Sequence, residues 1–215
     1  MLTAHHAPYW PYRLVHALLV AAESALGGGG MLALMSSHAV FQPYVLHLPA
    51  EDFVLEVPFE ALAALDAMLD DVYGERGGRA LALRIGARAF EVGWHKLGVL
   101  QSIGTPEFQA LPLTLRARGG LAGLAQVFNT YSSQNTELQD TPTAWQLRVA
   151  PSPFAYARYT EHPTCHLQIG IIQGLLRWAA SSAEFIVHET QCQALGAEAC
   201  VFAITKKPIV EVKQG

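Results

Sequence analysis

The stretch "AWQLRVA", Ala144 to Ala150, alternates strictly: Trp145, Leu147 and Val149 fall on one face, Gln146 and Arg148 on the other. A period of two is the signature of a half-buried strand. Upstream of Gln134 the apolar residues recur at helical spacing instead. That change of period decides the fold class. Helices come first, then strands with one helix inserted, which predicts an α+β fold: N-terminal helices packed on an antiparallel β-sheet with an inserted helix. The following "FAYARYT" is expected to pair antiparallel with "AWQLRVA" across "PSP". Next come an amphipathic helix over His166 to Ser181 and the strands "EFIVHET" and "ACVFAIT", joined by "QCQALGAE".

The helical half supports the same division. From Pro11 to Leu26, Leu14, Leu18, Ala21, Ala22 and Leu26 share one side, and "GGGG" (Gly27 to Gly30) is expected to end that helix. "MLALMSSHAVFQPYVLHLPAEDF" reads as an arm or interface segment more than core. A second helix is expected from Pro58 to Tyr73, with proline in its first turn. "YGERGGR" should interrupt it before a third helix begins near Arg79. A further helix is expected over Pro112 to Tyr131.

Composition sets outer bounds. The chain has 215 residues, 51% hydrophobic and 15% charged, with a formal net charge of −4. It is long enough to bury a full core. No cluster of Lys or Arg stands out, so no nucleic-acid surface is expected. The N-terminus lacks the basic region of a signal peptide, and no run approaches the length of a membrane span. The odd cysteine count of 3 argues against a disulfide framework and suits a reducing, cytoplasmic setting.

The cysteines hold the densest chemistry. Cys192 and Cys200 flank a loop with Gly196 at its tip, and Cys165 opens a helix, where the positive dipole end favours a thiolate. A disulfide across so short a loop would stabilise little. A nucleophile needs a base and an oxyanion hole, and no such signature is present. Two readings remain open from the residues alone: buried free thiols, and three thiolates joined by Glu189 in a closed tetrahedral metal shell.

"PTCHLQIGIIQGLLRWAASSAEFIVHETQCQALGAEACVFAI" resembles the C-terminal half of the vinyl-4-reductase-type (4-vinyl reductase, hydrocarbon-binding) domain family. The shared features are a Cys before a Gly-containing helix, a strand ending in Glu-Thr-x-Cys, a short loop and Cys-x-Phe. "YGERGGRALALRIGARAFEVG" resembles the family's helical half, so the likeness spans about Phe53 to Thr205. The family includes sensor domains of phenol-responsive activators and a bacteriochlorophyll-synthesis vinyl-reductase protein. The resemblance implies a fold like that of haem-nitric-oxide sensor domains and vesicle-tethering subunits. It also implies structural Zn2+ on Cys165, Glu189, Cys192 and Cys200, beside a hydrophobic pocket.

The expectations are therefore specific. Residues 1–52 form an N-terminal helix and arm that dimerise, 53–208 the ligand-binding domain, and 209–215 a tail. Trp145, Phe128, Tyr131, Trp94, Phe90, Phe154, Tyr156 and Phe185 wall a pocket for a small hydrophobic or aromatic ligand, with His95 or Tyr131 orienting it. Gly170 and Gly174 make a flat strip for close packing or for a ligand. His162, His166 and His188 are rival metal ligands. The leading functional reading is a homodimeric, cytoplasmic sensor or carrier rather than an enzyme. The alternative is a part in tetrapyrrole (bacteriochlorophyll) 8-vinyl reduction, as pigment carrier or reductase component, although the chain has no dinucleotide fingerprint.

Overall fold

The structure, a computed structural model, describes residues 7–36, 39–44, 48–53, 56–181 and 183–209. All but the first residue of the predicted 209–215 tail lies outside the described residues. The chain enters through β1 (Tyr9–Pro11), which pairs antiparallel with β2 (Glu56–Pro58). Helix α1 (Tyr12–Ser36) follows β1, and α2 (Phe59–Val92) follows β2. The predicted stripe on α1 is real: Leu14, Leu18, Ala21 and Ala22 are fully buried.

Two predicted helix ends are breaks within longer helices. "GGGG" does not stop α1; only Gly27 leaves helical geometry, at φ 72° and ψ 161°, and the helix resumes to Ser36. In α2 the same happens at Gly74, with φ 73° and ψ 161°. Side chains strongly disfavour that backbone region, so one glycine in each run makes the break and the rest stay helical. The breaks adjoin, since a Cβ on Gly30 would lie 3.4 Å from the Tyr73 hydroxyl. From the segment read as an arm, Met31, Leu34, Met35 and Phe41 are buried in this chain's own core.

The expectation that no run approaches a membrane span is corrected. With its glycine run inside the helix, α1 is long and apolar enough by length and composition, with mean hydropathy 1.6 over its best window. Its buried residues face the rest of this chain, and Gly27 breaks it, so length alone does not establish a span.

Two 3-10 turns, Trp94–Lys96 and Gly98–Gly104, and short α3 (Pro106–Gln109) lead to α4 (Leu113–Tyr131), close to its predicted bounds. The sheet contains β3 (Asn135–Asp140), β4 (Ala144–Ala150), β5 (Val187–Gln191) and β6 (Cys200–Thr205) in the order β3-β4-β6-β5. Every pairing is antiparallel. Trp145, Leu147 and Val149 are buried as their alternation predicts.

"FAYARYT" is not a strand. Two prolines precede it, Ala157 adopts a positive φ of 54°, and the Arg158 N–H turns back to the Ala155 carbonyl. The place beside β4 belongs to β3, a polar edge strand whose side chains announce it weakly.

Helix α5 (His166–Ala179) connects β4 to β5 and packs on α2 through glycine. A Cβ at Gly86 would collide with the Leu167 carbonyl, and one at Gly170 with the Leu83 carbonyl. At Gly174 it would stand 2.6 Å from the Ala87 carbonyl oxygen. The predicted flat strip is therefore a close-packed seam.

Candidate metal centre

Three elements deliver the four predicted ligands. Cys165 stands just before α5, Glu189 sits on β5, Cys192 follows that strand, and Cys200 begins β6. The register of β5 on β6 shifts between Glu189 and Gln191, a bulge that breaks the alternation just before Cys192. The loop back to β6 is tight: the Leu195 and Ala197 N–H groups both donate to the Cys192 carbonyl, and Gly196 takes φ 89°. Gln193 ties the loop down, accepting from the Ser152 N–H at 2.6 Å and donating to the Glu198 carbonyl at 3.0 Å.

The result is a convergent donor set. The three Sγ atoms and a Glu189 oxygen all lie within 4.8 Å of one another, and Cys165 Sγ is 3.5 Å from Cys200 Sγ. All three cysteines are buried and free of disulfide bonds. Glu189 Oε2 accepts the Cys165 N–H at 3.1 Å, while Oε1 is buried with no protein partner. A buried carboxylate oxygen left without a donor is costly unless something else meets it. A cation among these thiols would meet it, so the residues fit a metal ion. The four together could hold one.

The protonation pattern shows the strain of the protein groups alone. Burial, then the neighbouring Cys192, pushes Glu189 up to about 7. Hydrogen bonds from Cys165 and Cys200 push Cys192 down, and burial holds Cys165 well above the ordinary thiol range. Four acidic groups crowded together cannot all ionise unless a cation compensates them.

The rival histidines stand outside this set. His162 and His188 are exposed and His166 is half-buried; all three line a cleft of about 380 Å3 between α2, α5 and β5. Glu75, Arg79 and Leu83 of α2, Ile169 and Gln173 of α5, and Val187 and Glu189 of β5 complete its wall. Glu189 thus belongs to both the donor set and the cleft. Burial, then the charges of Arg79 and Arg158, pushes His166 down to about 4. The start of α5 is pinned a second time by Asp66 of α2, which accepts the Leu167 N–H and an Arg158 N–H at 3.3 Å.

The eight aromatic residues fall into several groups. Trp94 and Phe128 meet edge to face, and both contact Trp10, as does Phe154. Trp10, which the sequence reading did not single out, fills the middle of this group and donates to Gln134 at 2.7 Å. Its signal was the aromatic "YWPY" before the first helix. Elsewhere Trp145 meets Phe185, Tyr156 meets Phe59, and Tyr131 stacks on Phe53. Phe90 is fully buried and lies near His95, whose Nδ1 is 3.1 Å from the Phe90 carbonyl. Among the eight, only Phe185 borders one of the described pockets. The cleft residues Arg79 and Gln173, and Gln168 with its buried, unpartnered Oε1, were also not foreseen. A Gln on an otherwise apolar helix face was the available clue to the last.

Residues 145–206 match the vinyl-4-reductase (4-vinyl reductase) domain family. This part of the chain is a vinyl-4-reductase domain. All four candidate ligands and the inserted helix lie inside it. No curated protein matches the chain. Among solved structures, the chain resembles a Cs H-NOX protein at 14% identity and TM-score 0.51, over 94% of this chain and 100% of that one. It also aligns with the phenol-responsive sensory domain of the transcription activator PoxR in complex with phenol, at 16% identity and TM-score 0.44, over 68% of this chain and 74% of that one. A vinyl-4-reductase family protein from Methanocaldococcus jannaschii aligns at 17% identity and TM-score 0.35, over 60% of this chain and 91% of that one. The H-NOX likeness bears on the fold and agrees with the mixed helical and antiparallel architecture.

Proposed function

We propose that the protein is a small-molecule-binding module, a sensor or carrier of a small hydrophobic or aromatic ligand, built around a structural zinc ion. The observation that carries the reading is the convergence of Cys165, Glu189, Cys192 and Cys200 within 4.8 Å, inside a vinyl-4-reductase domain and beside a cleft of about 380 Å3. Three thiolates and a carboxylate suit zinc, and a shell closed by protein ligands leaves no open position for chemistry. The cleft is within the usual size of a small-molecule site. Apolar Leu83, Ile169 and Val187 offer it a hydrocarbon surface. The eight aromatic residues are the second seat for an apolar ligand. Their rings would have to part to admit it, and the unpartnered Gln168 oxygen in the same interior favours a ligand with a hydroxyl to donate.

In this reading residues 53–208 are the ligand-binding domain, residues 1–52 contribute to a homodimer, and the protein works in the cytoplasm. Support for the dimer comes from Leu32, Val72 and Tyr73, large side chains exposed near the paired breaks of α1 and α2. No feature of the site favours the tetrapyrrole alternative. Native mass spectrometry of the protein as purified tests the whole reading. It should show one zinc per chain, a co-purified small molecule and a dimeric mass. A metal-free chain with no adduct, and no melting shift on adding phenol, would overturn it.

A further inference from the structure

Away from the metal centre, a groove of about 240 Å3 runs between α1, α2 and α5. Arg84 and Arg88 of α2 and Arg177 of α5 line it, with Ser24 of α1 and Glu91 of α2, over a floor that includes Ala87. It shares no lining residue with the cleft beside Glu189. Three guanidiniums face one carboxylate there, in a chain whose formal net charge is −4. The sequence does not reveal this, because Arg177 comes from a helix far along the chain.

Folding does not account for the arrangement. Arg84 and Arg88 sit one helical turn apart, where like charges are unfavourable. Arg88 pairs with Glu91 at 2.8 Å and Arg177 reaches Glu184 at 3.8 Å, both on exposed surface where such pairs contribute little. Arg84 has no ion pair or hydrogen bond among the described residues. The groove also stays open because alanines at 21, 25 and 87 do not fill it.

The backbone beneath is the most closely packed in the molecule. The glycine contacts at Leu83 and Ala87 are each one residue from a groove arginine, and Arg177 lies one turn beyond Gly174. The seam therefore holds the three guanidinium-bearing positions in fixed relation. Planar forks converging from two helices suit a tetrahedral oxyanion with several acceptor oxygens, and the Ser24 hydroxyl adds a donor.

We propose that this groove is a second binding site, for the phosphate group of a small molecule. The site is separate from the hydrophobic ligand reading and does not depend on it. Free phosphate and a phosphomonoester share the chemistry, so both are titrated, as inorganic phosphate and as phenyl phosphate, with benzyl alcohol as the neutral comparison. Binding is read by isothermal titration and amide chemical shifts on the full chain. Saturable binding of either phosphate is expected, weakening with salt and absent for benzyl alcohol. Arg84→Gln and Arg177→Gln should each weaken it about tenfold while leaving melting temperature and metal content unchanged. Tighter binding of phenyl phosphate identifies the monoester as occupant, and equal binding identifies the free ion. Failure of both phosphates to saturate, or saturation that survives both substitutions, overturns the proposal.

Discussion

Glu189 carries two jobs on its two oxygens. Oε2 holds the first turn of α5 through the Cys165 N–H, and Oε1 is left for the metal. Cys192→Ser should therefore cost more than a buried thiol: the protein should lose its metal and melt about 10 °C lower, equivalent to roughly 3 kcal/mol at this chain length. Metal analysis and calorimetry check both parts. Asp66 makes a pH prediction. Burial raises its pKa well above the carboxylate norm, against the opposing charge of Arg158. Between the ordinary value and the raised one the folded chain holds more protons than the unfolded chain, so this group's contribution to stability falls as pH climbs. Asp66→Asn has no such slope. Its urea midpoint relative to wild type should shift upward as pH goes from about 4 to about 8; a constant offset would contradict the assignment. At this scale the ligand set was legible through the resemblance, because four side chains recur in a fixed motif. The orphaned oxygen and the Asp66 anchor were not, because both depend on contacts between distant segments.

The seam between α2 and α5 is the element on which the site rests. Gly170→Ala places a methyl against the Leu83 carbonyl and should cost about 1–3 kcal/mol as the helices separate. Gly28→Ala is the contrast. Nothing lies within 4 Å of its Cβ position, and it should stabilise α1 by about 0.4–1 kcal/mol. Denaturant unfolding of the two variants would show opposite signs. Helix α5 was readable from its apolar period, and β4 from its alternation. The glycine runs were misread because a sequence does not reveal which glycine takes the positive φ, and whether the chain then resumes its helix. Strand β3 escaped because "NTELQD" offers an edge, with little buried surface to pattern it. "FAYARYT" looked like a strand because Phe154 and Tyr156 are apolar at spacing two. They reach the interior from a turn instead.

At the level of the whole molecule, the vinyl-4-reductase domain supplies the sheet, α5 and the metal set, apart from the edge strand β3, and the helices before it complete one continuous core. The α+β class followed from the change of period alone. The aromatic interior did not follow, because Trp10 enters from the N-terminus and stands among the rings expected to wall a cavity. If the exposed apolar residues near the helix breaks meet a second copy, Leu32→Asp should turn a dimer into a monomer in sedimentation. A wild-type monomer at micromolar concentration would remove the dimer from the account. The central claim is that a metal on Cys165, Glu189, Cys192 and Cys200 pins the β5–β6 hairpin to the start of α5. Elemental analysis paired with thermal unfolding, before and after a strong chelator, tests it most directly. One zinc per chain and a large drop in melting temperature on its removal are predicted. A metal-free protein that melts at the same temperature with and without chelator would contradict the account.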